Sequence, residues 1–499
     1  MNAMVSMMSR VSRWQSCSSV EWQPLAVKAS DAVQCRDVIP KIEGMPMPAL
    51  TTDIAKFVAT VDAGAMPARA NFGARIGMLD CVGTMIAGAD EEAVKLVAQI
   101  VPAYTGNDGA PEIPGGRNLS AGDAALVNGV AAHVLDYDDV GMDGHPSAAL
   151  TPAILAEGWT LGSSGEEALA AYVAGYEVWA LLQELEPGAL HERGFHPTAI
   201  WGTLSAAAAC ARLNRLNADE TTHAIAIAAS LAAGTVANFG TMTKSLHAGR
   251  TAQSGVLAAR LAKSGFTASP DALEHKVGFM RSHSQSGNPA VARGDWGLGS
   301  NWRLEHLGIN IKRYPMCYAT HRSIDAMLDL ADEHNLDPKA IDEIHVRIGD
   351  AQDLMLRNRE PKTALEAKFS IEFAMASALI ARKVGLKELD DGFVRRDDII
   401  ETMRKVKRST TDERTADMPP FAPDDRVSIR LKSGAEIKHE PVVRPKGHWQ
   451  KPLTEAELRE KFLDCTESRL GRKQAEALFE KLNNLEDVAS LRELPVVKL

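Results

Sequence analysis

Ala121-Gly-Asp-Ala-Ala-Leu-Val-Asn-Gly-Val-Ala-Ala-His-Val-Leu135 runs directly into Asp136-Tyr-Asp-Asp-Val-Gly-Met-Asp-Gly-His145-Pro-Ser147, and the character of the chain is set at this junction. The first stretch repeats apolar residues at i, i+3 and i+4, the period of a buried helix. The second breaks that period with Gly, Asp and Pro, and a new Ala- and Leu-rich run opens behind Pro146. The same alternation of helical period and Gly, Asn, Asp or Pro punctuation continues outward over 70–86, 166–185, 198–213, 218–233 and 249–263. Between such segments, 105–116 and 281–294 are polar, rich in Gly and Pro, and read as loops. Hydrophobic residues make up 45% of the chain and aromatics only 5%. With much of the apolar content in Ala and Leu, the helices are expected to pack closely through small side chains.

Beyond residue 308 the texture changes. Residues 340–348 alternate apolar and polar side chains, as a half-buried strand does. Arg426-Val-Ser-Ile-Arg-Leu431, followed by Lys432-Ser-Gly434 and Ala435-Glu-Ile-Lys-His439, reads as a hairpin around a Gly turn. A helix is predicted at 369–381, and from Thr454-Glu-Ala-Glu457, a capping signature, the chain returns to helix. A chain of 499 residues is expected to hold two domains. The expected fold is mainly α: a large all-helical domain built from both chain ends (46–308 and 447–499) and a smaller α+β lid domain at 309–446. Residues 1–45 hold five methionines, several Ser, Arg10 and Arg13, and no acid before Glu21. They lack an amphipathic period or an apolar signal core and read as a flexible N-terminal extension. Pro46-Met47-Pro48 and a cap at Thr51-Thr52-Asp53 mark the working start.

The net charge of −10 argues against a nucleic-acid or anionic-membrane partner, since both call for basic surface. No apolar run approaches the ~20 residues that span a bilayer. None of the six cysteines (Cys17, Cys35, Cys81, Cys210, Cys317 and Cys465) forms a C-x-x-C pair. A structural zinc site or dense disulfide framework is not indicated, and a cytoplasmic setting is expected.

Asp136, Asp138 and Asp139 place three carboxylates within four residues, with Asp143 and His145 close behind. They repel one another unless each has a partner. A solvated acidic loop, a Mg²⁺ site and a catalytic loop between rigid helices all fit this pattern. The Asp-x-Asp-Asp run is similar to the aspartate-rich motif of terpenoid synthases. That chemistry needs a second cluster of Asn/Asp, Ser/Thr and Glu at four-residue spacings, and none is found. An α+β segment also has no place in that fold, so no metal is expected. His196 stands before Pro197 and a helix start, a position suited to anions. Lys244 and Arg250, in Gly240-Thr-Met-Thr-Lys-Ser-Leu-His-Ala-Gly-Arg250, are candidate carboxylate clamps. Lys312-Arg-Tyr-Pro-Met-Cys317-Tyr-Ala-Thr-His321 lies at the expected domain boundary and supplies cation, phenol, thiol and imidazole. Cys317 is most simply a small buried residue. With no G-x-S-x-G, P-loop, H-E-x-x-H or G-x-G-x-x-G motif, acid–base chemistry by side chains, without a cofactor, is the expectation.

These clusters follow an order. Asn128-Gly-Val-Ala-Ala-His-Val-Leu-Asp-Tyr-Asp-Asp139, His145-Pro-Ser147, Gly175-Tyr-Glu177, Gly194-Phe-His-Pro197, Thr243-Lys-Ser-Leu-His247, Lys312-Arg-Tyr-Pro315, Thr320-His321, Ala367-Lys-Phe-Ser370 and Gly447-His448 with Pro452-Leu-Thr454 together resemble the MmgE/PrpD family. The resemblance runs from about residue 50 to the end. That family includes 2-methylcitrate dehydratase, cis-aconitate decarboxylase and iminodisuccinate epimerase. The resemblance implies a homodimer, a small polycarboxylate substrate, no metal or organic cofactor, and a site using Asp136, His145, His196, Lys244 and Lys312.

Reactions of this kind pass through or near a carbanion beside a carboxylate, which needs a positioned base and cations for the developing charge. His145 is assigned the proton transfer and His196 a second acid–base or carboxylate-binding role. Lys244 and Lys312 would neutralise carboxylates, Asp136 would orient a catalytic side chain, and Arg250, His321 and Cys317 would contact substrate. In the decarboxylase branch a histidine stands where this chain has Cys317 and a Thr where it has Val140. The spacing from the acidic run to His145 is one residue shorter here. These departures count against cis-aconitate decarboxylation. The expectation is a 2-methylcitrate dehydratase-like hydro-lyase. Alternatives are an epimerase of an iminodisuccinate-like diacid, a Mg-dependent terpenoid-type enzyme and a non-catalytic polycarboxylate-binding protein.

Overall fold

Ser120 accepts the Asp123 N–H to open the helix Ala121–His133, and similar local signals start the helices around it. Ser164 and Asn217 form capping boxes with Glu167 and Glu220, and Pro146 and Pro197 occupy first-turn positions where a missing N–H costs nothing. The computed structural model describes residues 49–186, 189–283, 295–414 and 421–497. The extension expected at 1–45 lies outside the described residues, as does most of the 281–294 loop. Its first residues close the short helix Phe279–His283. The fold is mainly α, as expected. Ala68–Gly88, Ala121–His133, Pro146–Leu161, Gly165–Leu185, Pro197–Leu213, Ala218–Leu231 and Met242–Lys263 form the helical body. Several are buried nearly all round; from Ala168 to Leu182 every residue is buried.

Small residues set how closely these helices approach. A β-carbon on Gly129 would lie 2.7 Å from the Cα of Gly249, so Ala121–His133 and Met242–Lys263 cross backbone to backbone. This contact brings the C-terminal end of the first helix beside the first turns of the second. Met242–Lys263 begins seven residues before the period recognised at 249–263, because Thr241 caps it and its first turns are polar. Thr51 is likewise not a cap. The first helix is Leu50–Thr60, and the Thr51 hydroxyl bonds the Glu274 carboxylate instead.

A second core forms around a four-stranded sheet. Ile341–Gly349 is central, parallel to Val406–Thr411 and antiparallel to Arg426–Leu431, which pairs in turn with Glu436–Lys438. Ile344, Val346 and Ile348 point into that core with side chains of the helices His321–Glu333 and Ile371–Ala381. The hairpin turns at Gly434, whose φ of +87° suits glycine. The C-terminal helix Glu455–Leu470 starts at a Thr454–Glu457 capping box and lays Phe462 against Gly83 of Ala68–Gly88. Among the described residues no helix is long and apolar enough to cross a membrane.

Candidate active site

The loop that joins Ala121–His133 to Pro146–Leu161 is tied down along its length. The Tyr137 hydroxyl donates to the Arg313 carbonyl (3.0 Å), and Lys461 donates to the Tyr137 carbonyl (3.0 Å) while pairing with buried Asp80. Val140 and Asn310 exchange backbone bonds of 2.9 and 3.1 Å. The Trp179 indole donates to the Met142 carbonyl, and Thr198 accepts the His145 N–H. These ties hold Asp136, Met142 and Asp143 in the left-handed region, at φ of 53°, 50° and 60°. Such backbone costs on the order of 1 kcal/mol per residue and persists only where its surroundings enforce it.

Asp138 is wholly buried between two imidazoles. His133 Nδ1 lies 2.9 Å and His145 Nδ1 3.0 Å from the same carboxylate oxygen, and His145 Nδ1 is also 2.9 Å from the Asp139 carbonyl. Two acceptors on that side assign the His145 proton to Nδ1 and leave the Nε2 lone pair open, 3.9 Å from Asp136 Oδ1. Burial alone would raise the Asp138 carboxyl. The charge interactions with His133 and then His145, followed by their hydrogen bonds, outweigh it and hold the group well below the usual carboxylate range. Burial pushes His133 down to about 4, so it is neutral. Asp139 goes the other way: burial, then the charges of Asp138 and Asp80, push it well up and favour its neutral form. Its partner is the Ser147 N–H at 3.2 Å. The repulsion expected in the acidic run is thus removed by giving each carboxyl different company.

Asp136 faces two ammonium groups. Lys244 Nζ is 2.7 Å from Oδ1; Lys312 Nζ is 3.1 Å from Oδ2 and 2.7 Å from the Asp136 carbonyl. Burial would raise this carboxyl, but Lys244 and then Lys312 overcome it and keep it ionised. His196, at the N-cap of Pro197–Leu213, places Nδ1 3.0 Å from His247 Nδ1, so one of the pair donates to the other. Burial, then the neighbouring imidazoles and Lys244, hold His196 far below its ordinary range. Its ring lies 6.1 Å from His133 and edge-on to Phe239.

The fold therefore brings Asp136, His145, His196, Lys244 and Lys312 together. Lys312 is only 1% exposed and its ammonium is covered by Asp136, so here it clamps that residue. Cys317 is buried nearby. Burial, then Asp136, pushes its thiol up, and its N–H donates to the Lys368 carbonyl (2.9 Å). His321 is enclosed between the Tyr314 and Tyr318 rings, with Nε2 3.3 Å from the Met316 carbonyl. Its surroundings are those of a packed neutral imidazole. Arg250 is not brought to the site. It is exposed and bonds Gln253. Six residues of helix place it about 120° around the axis from Lys244, whereas three residues keep His247 within about 60°. His133 is the member missed as a site residue, and Asp138, weighed within the acidic run, was given no role of its own. His133 was absorbed into an apolar helical period; its place three residues before Asp136 was the available signal.

His133, Asp136, Asp138 and His145 bring one donor atom each within 4.8 Å of one another, the spacing of a metal site. The donors do not fit one. Both Asp136 oxygens carry ammonium groups and Asp138 accepts two imidazole N–H groups, so a cation would displace lysines and meet their charge.

Residues 52–292 match the family model described as MmgE/PrpD N-terminal domain, and 314–487 match the MmgE/PrpD C-terminal domain. The chain is 30% identical to cis-aconitate decarboxylase of Mus musculus, over 84% of this chain and 87% of that protein. It is 30% identical to cis-aconitate decarboxylase of Homo sapiens, over 82% and 86%. Against cis-aconitate decarboxylase of Aspergillus terreus it is 26% identical, over 76% and 82%.

Proposed function

This chain belongs to the MmgE/PrpD family, and on that premise we propose that it is a lyase acting on a small polycarboxylate by proton abstraction beside a carboxylate. The observation that carries this reading is the open Nε2 of His145, with Nδ1–H anchored on Asp138 and the Asp139 carbonyl, facing the Asp136–Lys244 pair. A base with a fixed tautomer beside a cation suits formation of an enolate: His145 takes the α proton and Lys244 meets the charge that develops. In a hydro-lyase reaction of the 2-methylcitrate type the carbon–oxygen bond then breaks and the leaving hydroxide takes a proton. The His145 imidazolium supplies it and is reset, while His196, if His247 Nδ1–H donates to its Nδ1, holds the departing oxygen with its Nε2–H.

A second reading, decarboxylation of a cis-aconitate-like acid, is favoured by the names of the relatives. Against it stands the buried Cys317, its thiol pushed up by burial, where that branch has a histidine. Both readings share the substrate class and the base. The test is proton NMR in D₂O with 2-methylcitrate, citrate, cis-aconitate and iminodisuccinate. Loss of water supports the first reading, loss of CO₂ the second, and deuterium exchange without net product an epimerase. Full turnover by His145→Ala would sink the assignment of the base, and loss of activity on chelation would return the metal reading.

A further inference from the structure

Besides Lys461, which donates to the Tyr137 carbonyl and pairs with Asp80, three lysines bring charge towards the acidic loop, and two of them are accounted for. Lys244 and Lys312 share the Asp136 carboxylate. The third, Lys368, follows the short helix Ala364–Ala367, and its carbonyl accepts the Cys317 N–H at 2.9 Å, which fixes its backbone beside the Lys312–Cys317 segment of the site. Lys368 is only 9% exposed, yet among the described residues its ammonium makes no hydrogen bond or ion pair. The side chain is packed away but its ammonium is not one of the enclosed unpartnered nitrogens, so it reaches solvent and can meet an anion that arrives from outside the chain.

We propose that Lys368 is a carboxylate-binding residue of this site, holding a substrate carboxylate other than the one beside Lys244, so that the site prefers tricarboxylates to dicarboxylates. This rests on the polycarboxylate reading above and names the substrate class within it. The surrounding charges agree. Burial lowers the Lys368 ammonium, Asp136 and the exposed Glu91 oppose this, Lys312 and Lys244 add to it, and the net direction is down. The nearer anion, Asp136, is already neutralised by two other lysines.

The test uses the full chain and two variants, Lys368→Met and Lys368→Arg, with citrate and cis-aconitate against succinate by calorimetry. Lys368→Met is expected to weaken both tricarboxylates by roughly ten- to a hundredfold, the worth of a charge-assisted hydrogen bond, and succinate by less than about threefold on the same scale. Lys368→Arg should restore part of the tricarboxylate affinity. Without ligand, Lys368→Met should melt no lower than the wild type, because the ammonium has no partner among the described residues to lose. A structural lysine would instead melt lower. Equal weakening of all three ligands, no weakening, or a lower melting point without ligand overturns the proposal while leaving the lyase reading in place. A wild type that binds none of the three acids removes both.

Discussion

Lys244 Nζ sits 2.7 Å from Asp136 Oδ1, a contact between residues 108 apart in the chain. It exists because Gly129 and Gly249 let two helices touch along their backbones. The crossing delivers the first turns of Met242–Lys263 to the end of Ala121–His133, where Asp136 turns out of the helix at positive φ. Lys312 closes on the other carboxylate oxygen.

Asp136→Asn leaves two lysines without their shared anion, one of them almost fully buried. Breaking such a pair costs about 3 kcal/mol. The variant is expected to denature at lower urea concentration and to lose turnover. Unchanged stability would mean that Lys312 finds another partner.

Gly249→Ala tests the crossing. In an exposed helix this change stabilises by up to about 1 kcal/mol. Here the new methyl meets the Leu126 carbonyl and, at 2.7 Å, the Val130 side chain. Overpacking of this kind costs about 1–3 kcal/mol, and displacing Lys244 by even ~1 Å should lower kcat by roughly a hundredfold. A variant as stable and active as the wild type would show that the helices separate freely.

Arg250→Ala separates the fold from a plain reading of the motif. Arg250 is exposed and engaged with Gln253, away from Lys244. Its removal should leave kcat/KM within about twofold, since surface changes away from the chemistry are near neutral. A large rise in KM would return it to the site.

His321→Phe is a pH test. Burial lowers His321 to about 3 from 6.5, so the unfolded chain binds its proton first as the pH falls. Wild-type stability from this residue is complete above pH 6.5 and is lost on descending towards 3. The loss is at most about 1.4 kcal/mol per pH unit. Phe fits between the two tyrosine rings and cannot take a proton, so the melting-temperature difference, wild type minus variant, should fall between pH 6.5 and 4.5. A constant difference would mean that His321 is not held neutral.

Much of the fold was legible locally. Periodicity located the buried helices to within a few residues, alternation located the central strand, and Thr454 with Glu457 marked the C-terminal helix. Where local reading fell short, polarity misled it. The first turns of Met242–Lys263 are too polar to look buried, although they carry Lys244 and His247 on the face that packs inward. In the opposite sense, His133 lies in so apolar a run that it passed for filling, while its Nδ1 meets Asp138.

The amino-acid sequence by itself determined that this chain is mainly helical, that its candidate site residues fall at 136–147, 196, 244 and 312, and which family they resemble. Periodicity and motif order are local properties, and they survive in one dimension. Tertiary structure alone decided which of the three neighbouring aspartates carry charge, that Lys312 serves Asp136, that Arg250 stands outside, and that Lys368 lacks a partner among the described residues. The reason is physical. Charge state and partnership depend on burial and on distances of about 3 Å between segments far apart in the chain. Those distances follow from how closely helices pack, which no single segment encodes.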